Sequence, residues 1–153
     1  AGSEALWKLI KNGQLKDPLS GKAITKDKIA FMVNIDQIGS TLEPLNKDRK
    51  DFIIMLGGNS FRKSYDNVLE NVNSMYDLNM DLGFTYYGSE NFTKMFYRLS
   101  DQRVFIDHGI PSVLFTSGIT MKTNKTYDNV ASLDYAVLRR RILLMFYWIE
   151  KML

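Results

Sequence analysis

Three runs of mostly apolar residues, each about the length of a β-strand, constrain most strongly what this chain can fold into. The runs are Ile29–Asp36, Asp51–Leu56 and Ser112–Thr116, and glycine or proline stands close to one end of each. A near-continuous apolar run of this length is typical of a strand buried on both faces, as in the sheets of α/β proteins. The segment Leu78–Tyr86 alternates more between apolar and polar residues, which predicts a strand nearer to the edge of the sheet.

Segments with helical spacing separate these strands. Ser3 is a suitable N-cap for a first helix, and Gly13 is suited to its end. Ser60 is placed to cap a second helix, whose predicted buried face is Phe61, Tyr65, Val68, Val72 and Met75. The last helix is predicted to start near Ser132, with a buried stripe formed by Tyr135, Leu138, Ile142, Met145, Ile149 and Met152.

The predicted order of elements is helix, strand, strand, helix, strand, strand and helix, which indicates helices packed on a sheet. We therefore expect an α/β fold with a mixed, mostly parallel sheet. A chain of 153 residues has the usual size of one domain. Its 45% hydrophobic and 24% charged residues are enough for a folded core. Residues 1–153 are therefore predicted to form a single domain.

The chain is only mildly basic, and its charges are spread along the sequence. The formal net charge is +3, and the one dense basic cluster is Arg139, Arg140 and Arg141, which we expect on the solvated side of the last helix. Because nucleic-acid-binding proteins usually concentrate lysine and arginine on one face, no nucleic-acid partner is predicted. No apolar run approaches about 20 residues, so no membrane span is predicted. The absence of cysteine excludes disulfides and thiolate metal sites.

Two carboxylates stand near predicted strands of the sheet, Asp36 at the end of the first strand and Asp101 before the strand that starts at Ser112. Asp36 closes the first apolar run, and ligands in such sheets bind at the carboxyl ends of strands. A carboxylate that emerges from a buried strand has to be hydrogen-bonded, charge-paired or metal-bound, so Asp36 is a candidate functional residue. A loop cap or an ion pair with lysine is its alternative role. Asp101 is placed to lie at the same edge of the sheet, and its alternative is an ordinary turn residue.

His108, the only histidine, lies in the turn that precedes Ile110-Pro111. A metal or catalytic role needs partners that converge on the imidazole, so a lone histidine in a loop is predicted to be a surface residue. Its neighbour Asp107 does not by itself make a catalytic pair. The chain also has no glycine-rich phosphate loop and no nucleophile elbow.

Short motifs follow one another along the chain in a distinctive order. They are Gly2-Ser3 before a helix, Asn34-Ile35-Asp36-Gln37-Ile38-Gly39 at a strand end, Ser100-Asp101-Gln102 with Phe105 and Gly109-Ile110-Pro111, and Thr126-Tyr127-Asp128-Asn129 before the last helix. Each motif is weak by itself. Together they resemble the C-terminal half of the domain of the two-zinc aminopeptidases (metallopeptidase family twenty-eight), which are related to the glutaminyl cyclases.

The resemblance implies a metal site. In that family five side chains hold two zinc ions, and a glutamate beside one ligand acts as general base. Asp36 matches the fourth ligand, while the first three ligands and the base would belong to a segment before residue 1. The position of the final histidine ligand is occupied by Asn124, and a family histidine next to Asp101 is replaced by Gln102. In the cyclase relatives the aspartate that matches Asp101 supports substrate near the metal.

The resemblance therefore implies a peptidase ancestry without a complete metal site. One carboxylate cannot hold a zinc ion that needs about four ligands, and neutral asparagine is a poor replacement for imidazole. We expect a metallopeptidase-like domain that binds no zinc by itself and does not hydrolyse the peptide substrates of the family. Whether the parent protein is an enzyme stays open. The alternative is a non-catalytic module that binds a protein, peptide or glycan on the same fold.

Two further expectations follow from matching half of a domain. An apolar strand edge or face would lack its cover, so we expect a homodimer or a contact with a missing N-terminal half. The resemblance also suggests an extracytoplasmic location, periplasmic or secreted, although the residues themselves do not set the compartment.

Overall fold

The computed structural model describes residues 2–40, 50–57, 64–86, 88–119, 123–126 and 128–153. Within these ranges it contains five α-helices and four β-strands. In chain order they are α1 (Gly2–Lys11), β1 (Met32–Ile35), β2 (Phe52–Leu56), α2 (Ser64–Met75), β3 (Asp81–Gly83), α3 (Glu90–Tyr97), α4 (Gln102–Asp107), β4 (Ser112–Thr116) and α5 (Tyr135–Met152).

The described strands form one mixed sheet in the order β1-β4-β2-β3. β1 pairs with β4 and β2 pairs with β3 in parallel, whereas β2 and β4 are antiparallel. The register places Val33 opposite Val113 and Met55 opposite Phe115. Because most of these pairings are parallel, the expected α/β fold with a mixed, mostly parallel sheet is confirmed.

The central strands β2 and β4 are buried on both faces, as their apolar sequences predict. Ile53, Met55 and Phe115 belong to a main hydrophobic cluster that α2 and α5 complete. Ile54 and Leu114 belong to another cluster with Tyr86. Successive residues of a strand point to opposite faces, so the sheet is covered on both sides.

Trp148 of α5 lies within the main cluster and is fully buried. Its ring makes edge-to-face contacts with Phe31, Tyr65 and Phe115 at centroid distances of 5.7, 5.6 and 5.3 Å. Its indole N–H donates to the carbonyl oxygen of Tyr65 at 3.1 Å. A buried indole needs such an acceptor, so this bond and the ring contacts together fix α5 against α2.

The first strand differs from its prediction. β1 spans Met32–Ile35, which is shorter than the run Ile29–Asp36, and none of its residues is fully buried. The physical reason is its position, because β1 is an edge strand whose one neighbour in the described sheet is β4. β3 is the opposite edge strand, as the alternation in Leu78–Tyr86 predicts, but it covers only Asp81–Gly83.

The buried stripe of α5 is rotated relative to its prediction. Tyr135 is 61% and Ile142 is 50% exposed, and Met145 is the one member of the predicted stripe that is fully buried. The buried residues are Val137, Arg141, Leu144, Met145 and Trp148. Arg141 therefore does not lie on the solvated side with Arg139, because main-chain carbonyls inside the protein accept its hydrogen bonds.

The other helices agree with the sequence only in part. α1 closely matches the predicted first helix, and the buried face of α2 includes the predicted Tyr65 and Val72, but Leu69 replaces Met75. Outside the described residues lie Ser60 and Phe61. The prediction missed α3 and α4, which are short, and α3 has no fully buried residue. Among the described residues, no helix combines the length and apolar character needed to span a membrane.

Candidate functional site

The C-terminal end of β1 meets the turn that leads into α4, and side-chain hydrogen bonds join the two. α4 packs against β1 and β4, which brings Ser100 and Gln102 to the end of β1. The side-chain amide of Asn34 donates to Ser100 Oγ and to Gln102 Oε1, both at 2.8 Å. Ser100 Oγ in turn donates to Asp36 Oδ2 at 3.0 Å. We call Asn34, Asp36, Ser100 and Gln102 the strand-end network.

Gln102 is the buried end of the strand-end network and has no exposed surface. Its Oε1 accepts from Asn34, and its Nε2 donates to the main-chain carbonyl of Tyr97. A neutral amide that is hydrogen-bonded at both ends can be buried at small cost. The hydroxyl of Tyr97 donates to the carbonyl of Ser112, so the network is anchored to β4 as well as to β1.

Gly57, directly after β2, makes room for Tyr97. Its φ is +88°, a region that favours glycine because a side chain would be strained there. A Cβ at this position would overlap the ring and the hydroxyl of Tyr97. The left-handed backbone and the packing of Tyr97 therefore both account for this glycine.

Asp36 and Asp101 lie at the same end of β1, as their sequence positions predict. Asp36 directly follows the strand and is exposed, with one carboxylate oxygen accepting the Ser100 hydroxyl. Asp101 is the residue before α4, and its carboxylate makes no capping hydrogen bond. It is exposed and lines a groove beside β1 together with Asn34. Neither carboxylate is buried, so both are accessible to a ligand.

Asn124 does not belong to the strand-end network. It is exposed, lies in a turn within residues 123–126 and has a φ of +60°. Asparagine is one of the residues that tolerate this left-handed conformation. The left-handed backbone conformation therefore explains an asparagine at position 124 without any role beside Asp36.

His108 is exposed, which confirms the prediction that it is a surface residue. Its Nδ1 lies 2.7 Å from the carbonyl oxygen of Val104, and its ring lies 4.2 Å from that of Trp7. The neighbouring Asp107 instead pairs with Arg98, whose hydrogen bond holds the pKa of that carboxyl below its usual value. His108 and Asp107 therefore do not form a catalytic pair.

An open groove of about 520 Å³ lies between α1 and β1. Its walls are mostly apolar, with Leu6 and Ile10 from α1 and Phe31 to Val33 from the β1 segment. Leu15, Ile24 and Ile29 of the connecting segment complete it. Asn34 and Asp101 supply polar groups at one end, so the groove adjoins the strand-end network.

Arg141 is a buried residue, and its prediction as a solvated one is wrong. Its Nε donates to the carbonyl of Phe52 at 2.9 Å, and its Nη1 donates to those of Ile38 and Ser40 at 2.7 and 2.9 Å. Burial lowers its pKa to about 10, so it remains charged at neutral pH. The sequence contained a pattern that indicates this burial, because Arg141 stands at helical spacing from the apolar residues Val137, Leu144, Met145 and Trp148.

The donors around Asp36 do not suit a two-zinc site. Its network partners are the hydroxyl of Ser100 and the amides of Asn34 and Gln102, whereas zinc binds imidazole nitrogen, thiolate sulfur and carboxylate oxygen. In the part of the chain that the structure describes, no three His, Cys, Asp or Glu side chains gather as a metal site would require. Within the strand-end network, Asp36 is therefore the one side chain of a type that commonly binds zinc.

Comparison with known proteins identifies no relative, because no protein-family model, no curated protein and no solved structure matches the chain.

Proposed function

We propose that the chain is a metallopeptidase-like domain, similar to the C-terminal half of a two-zinc aminopeptidase domain, that does not hydrolyse peptides by itself. One observation carries this proposal. The strand-end network joins Asn34 and Asp36 of one motif to Ser100 and Gln102 of another, 64–68 residues further along the chain. Two motifs that the resemblance assigns to one site are thus in direct contact.

In this proposal Asp36 keeps the position of a metal ligand, and Asp101 keeps that of a carboxylate beside the substrate. Their exposure at the carboxyl end of β1 supports these roles, since ligands of open α/β sheets bind at such ends. Ser100 holds one oxygen of Asp36 by a hydrogen bond. Gln102, where the family has a histidine, acts as a buried amide that joins α4 to β1.

The side chains around Asp36 support the second part of the proposal, that the chain does not hydrolyse peptides by itself. Activation of water by zinc requires about three protein ligands around each ion, with one position left open. Asp36 supplies one carboxylate, and the side chains hydrogen-bonded around it are amides and a hydroxyl. Asn124, at the position of the last ligand, offers an amide in place of imidazole.

Calorimetric titration with zinc tests the proposal. We expect no stoichiometric binding with Kd below about 1 µM, because one carboxylate is far from the usual four ligands. The same samples should release no amino acid from aminoacyl amides. One or two tight equivalents of zinc that disappear in Asp36→Asn would overturn the inactive assignment. Tight zinc that persists in Asp36→Asn would show that Asp36 is not the ligand.

A second arm of the titration tests the position assigned to the lost histidine. Asn124→His should raise zinc affinity about tenfold if its imidazole can act together with Asp36. Asp36→Asn in the same background should remove that gain. Asn12→His, at another exposed asparagine, controls for a histidine added anywhere on the surface. Equal gains in Asn124→His and Asn12→His would contradict the assignment.

A non-catalytic binding module is the second candidate function, and the groove beside β1 favours it. Its volume of about 520 Å³ lies within the range of ligand sites, which are mostly apolar with a few polar groups. Asn34 and Asp101 supply such polar groups at one end. Binding there needs no metal, so the outcome of the zinc titration does not affect this candidate.

A further inference from the structure

Helix α5 carries a second apolar stripe in addition to its buried one. Large apolar residues of α5 and its C-cap that keep half or more of their surface in water are Tyr135, Ile142, Phe146 and Leu153. They are separated by seven, four and seven positions, which places them in one row along a helix. We call these four residues the outer stripe. A helix that is apolar on two sides is typically covered on both, and the main cluster covers the other side of α5.

Two exposed residues of opposite charge lie beside the outer stripe. Arg139 stands four positions after Tyr135. Glu150 stands four positions after Phe146, so each charge is one helical turn from an apolar residue of the stripe. Eleven positions separate the two charges, which is close to three full turns, so they lie on the same flank of the stripe about 16 Å apart. At that distance they cannot pair within one copy.

The other basic residues of α5 point away from this flank. Arg140 lies 3.5 Å from a carboxylate oxygen of Asp51, and Arg141 is buried. Lys151 directly follows Glu150 and is therefore about 100° further around the helix. Arg139 and Glu150 are thus the charged residues of α5 that a partner packed on the outer stripe would contact.

The outer stripe and its two charges are arranged symmetrically about one position of the helix. Ile142 and Phe146 are centred on position 144. Tyr135 and Leu153 have the same centre, and the centre of the two charges is half a residue away. A two-fold axis at this position, perpendicular to α5, therefore brings each member of a pair opposite the other member in a second copy. The surface is self-complementary, as an isologous interface requires.

We propose that α5 packs against α5 of a second copy of this chain in antiparallel orientation, so that each outer stripe covers the other. Ile142 then contacts the partner's Phe146 close to the two-fold axis, and burial of these side chains is favourable. The two-fold brings the same flank of each helix together, so Arg139 pairs with the partner's Glu150, and this ion pair occurs twice. Antiparallel helices joined in this way resemble a pair within a helix bundle.

The charges select this orientation against the alternative. In a parallel pair Arg139 would face the partner's Arg139, and Glu150 would face the partner's Glu150, which places like charges together. The antiparallel pair replaces both repulsions by attractions. One helix face is at the small end of specific interfaces, so we expect a dissociation constant on the order of 10–100 µM.

Sedimentation and light scattering of the intact chain test the ion pair. We expect the dissociation constant of the dimer to rise about tenfold in Arg139→Glu, because two attractions become two repulsions. Adding Glu150→Arg in the same chain exchanges the charges and should restore the affinity to within about threefold. Lys151→Glu, the same change on another side of α5, is the matched control and should leave the dimer unchanged.

The apolar part of the interface has its own test. Ile142→Ser should raise the dissociation constant at least about tenfold, because the apolar contact beside the two-fold axis is lost in both copies. Leu19→Ser, at a leucine that is 97% exposed outside α5, is the control and should have no effect. Circular dichroism of each variant confirms that the monomer is folded.

Cross-linking tests the antiparallel orientation. The chain has no native cysteine, so introduced thiols are the only ones present. In the proposed dimer Tyr135 faces the partner's Leu153, whereas like positions lie about 27 Å apart along the helices. An equal mixture of Tyr135→Cys and Leu153→Cys chains, treated with a short bismaleimide, should therefore give mainly the mixed covalent dimer. Parallel helices would instead join like positions.

Three results would overturn the proposal. One is a chain that stays monomeric at about 500 µM, well above the dissociation constant expected of this interface. Another is a dimer that Arg139→Glu weakens no more than Lys151→Glu does, since it then uses a different face. The third is a cross-linked product in which the mixed dimer is not preferred. This inference does not depend on zinc chemistry, so none of these results affects the metallopeptidase-like proposal.

Discussion

At the scale of single residues, Arg141 shows how a charged side chain becomes part of the interior. It has no exposed surface, and its guanidinium donates to carbonyl oxygens of the chain after β1 and around the start of β2. The planar fork of arginine presents five N–H donors in fixed directions, which matches several carbonyls at once. Burial lowers its pKa only to about 10, so these bonds are charge-assisted at neutral pH.

We expect Arg141→Met to lower the free energy of unfolding by at least about 2 kcal/mol, because it leaves several buried carbonyl oxygens without a donor. Arg141→Lys should fall between this variant and the parent, since one ammonium cannot reach all of the acceptors. Arg139→Met, on the exposed side of α5, is the matched control. Urea unfolding measures all three. Equal midpoints for Arg139→Met and Arg141→Met would refute the structural role of Arg141.

The sequence predicted the position of a candidate site residue where that residue directly follows a recognisable strand. Asp36 follows an apolar run, which was enough to place its carboxylate at the end of a strand. Asp101 lies at the same end because α4 separates it from β4, and the sequence analysis did not predict that helix. The buried amide of Gln102 was not predictable as a buried residue, because glutamine is usually exposed and only its two partners explain its burial.

At the scale of elements, the approach of α3 to β2 depends on Gly57. Tyr97 is the last residue of α3, and its ring occupies the space that a Cβ on Gly57 would need. The main-chain carbonyl of Tyr97 also accepts from Gln102, so the contact lies next to the strand-end network.

Gly57→Ala should therefore destabilise the protein by about 3 kcal/mol or more, from left-handed backbone strain plus overlap with Tyr97. Gly21→Ala isolates the backbone part, because Gly21 has a φ of +67° but a Cβ added there would meet no atom within 4 Å. That control should cost about 1 kcal/mol. Thermal unfolding of both variants gives the comparison, and equal losses would show that the Tyr97 contact contributes nothing.

The elements themselves differed in how well their sequences predicted them. β2 and β4 were predictable because their residues are apolar on both faces. β1 has a similar composition, and its position at the edge depends on pairing partners that no local pattern encodes. The buried stripe of α5 was predicted about one residue too far toward the C-terminus. The prediction assumed that every buried position is apolar, whereas Arg141 occupies one of these positions.

At the scale of the whole molecule, the described sheet is stable at its centre and accessible at its edges. β2 and β4 lie between helices on both faces, whereas β1 has an unpaired side and an open groove along it. The free energy needed to expose an amide to water varies in the same way, from small at edges to the global value in central strands.

Amide hydrogen exchange should reflect this arrangement. We expect the slowest exchange in β2 and β4, and faster exchange at Val33 and Ile35, whose amides alternate in direction with those of Met32 and Asp36 that donate to the β4 segment. Leu114, in a central strand, should be protected more strongly than either of them. Exchange measured by NMR checks this. Protection of Val33 equal to that of Leu114 would contradict an open edge.

The hydrogen bonds of Arg141 affect where the chain can accept inserted residues. Its guanidinium holds the carbonyl oxygens of both Ser40 and Lys50, the residues on either side of segment 41–49. The two ends of that segment are therefore tied to one point on α5, independently of what lies between them. Closing a loop whose ends are already fixed costs only about 0.6 kcal/mol for each doubling of its length. Insertions between Ser40 and Lys50 should thus leave the sheet, and Asp36 with it, in place.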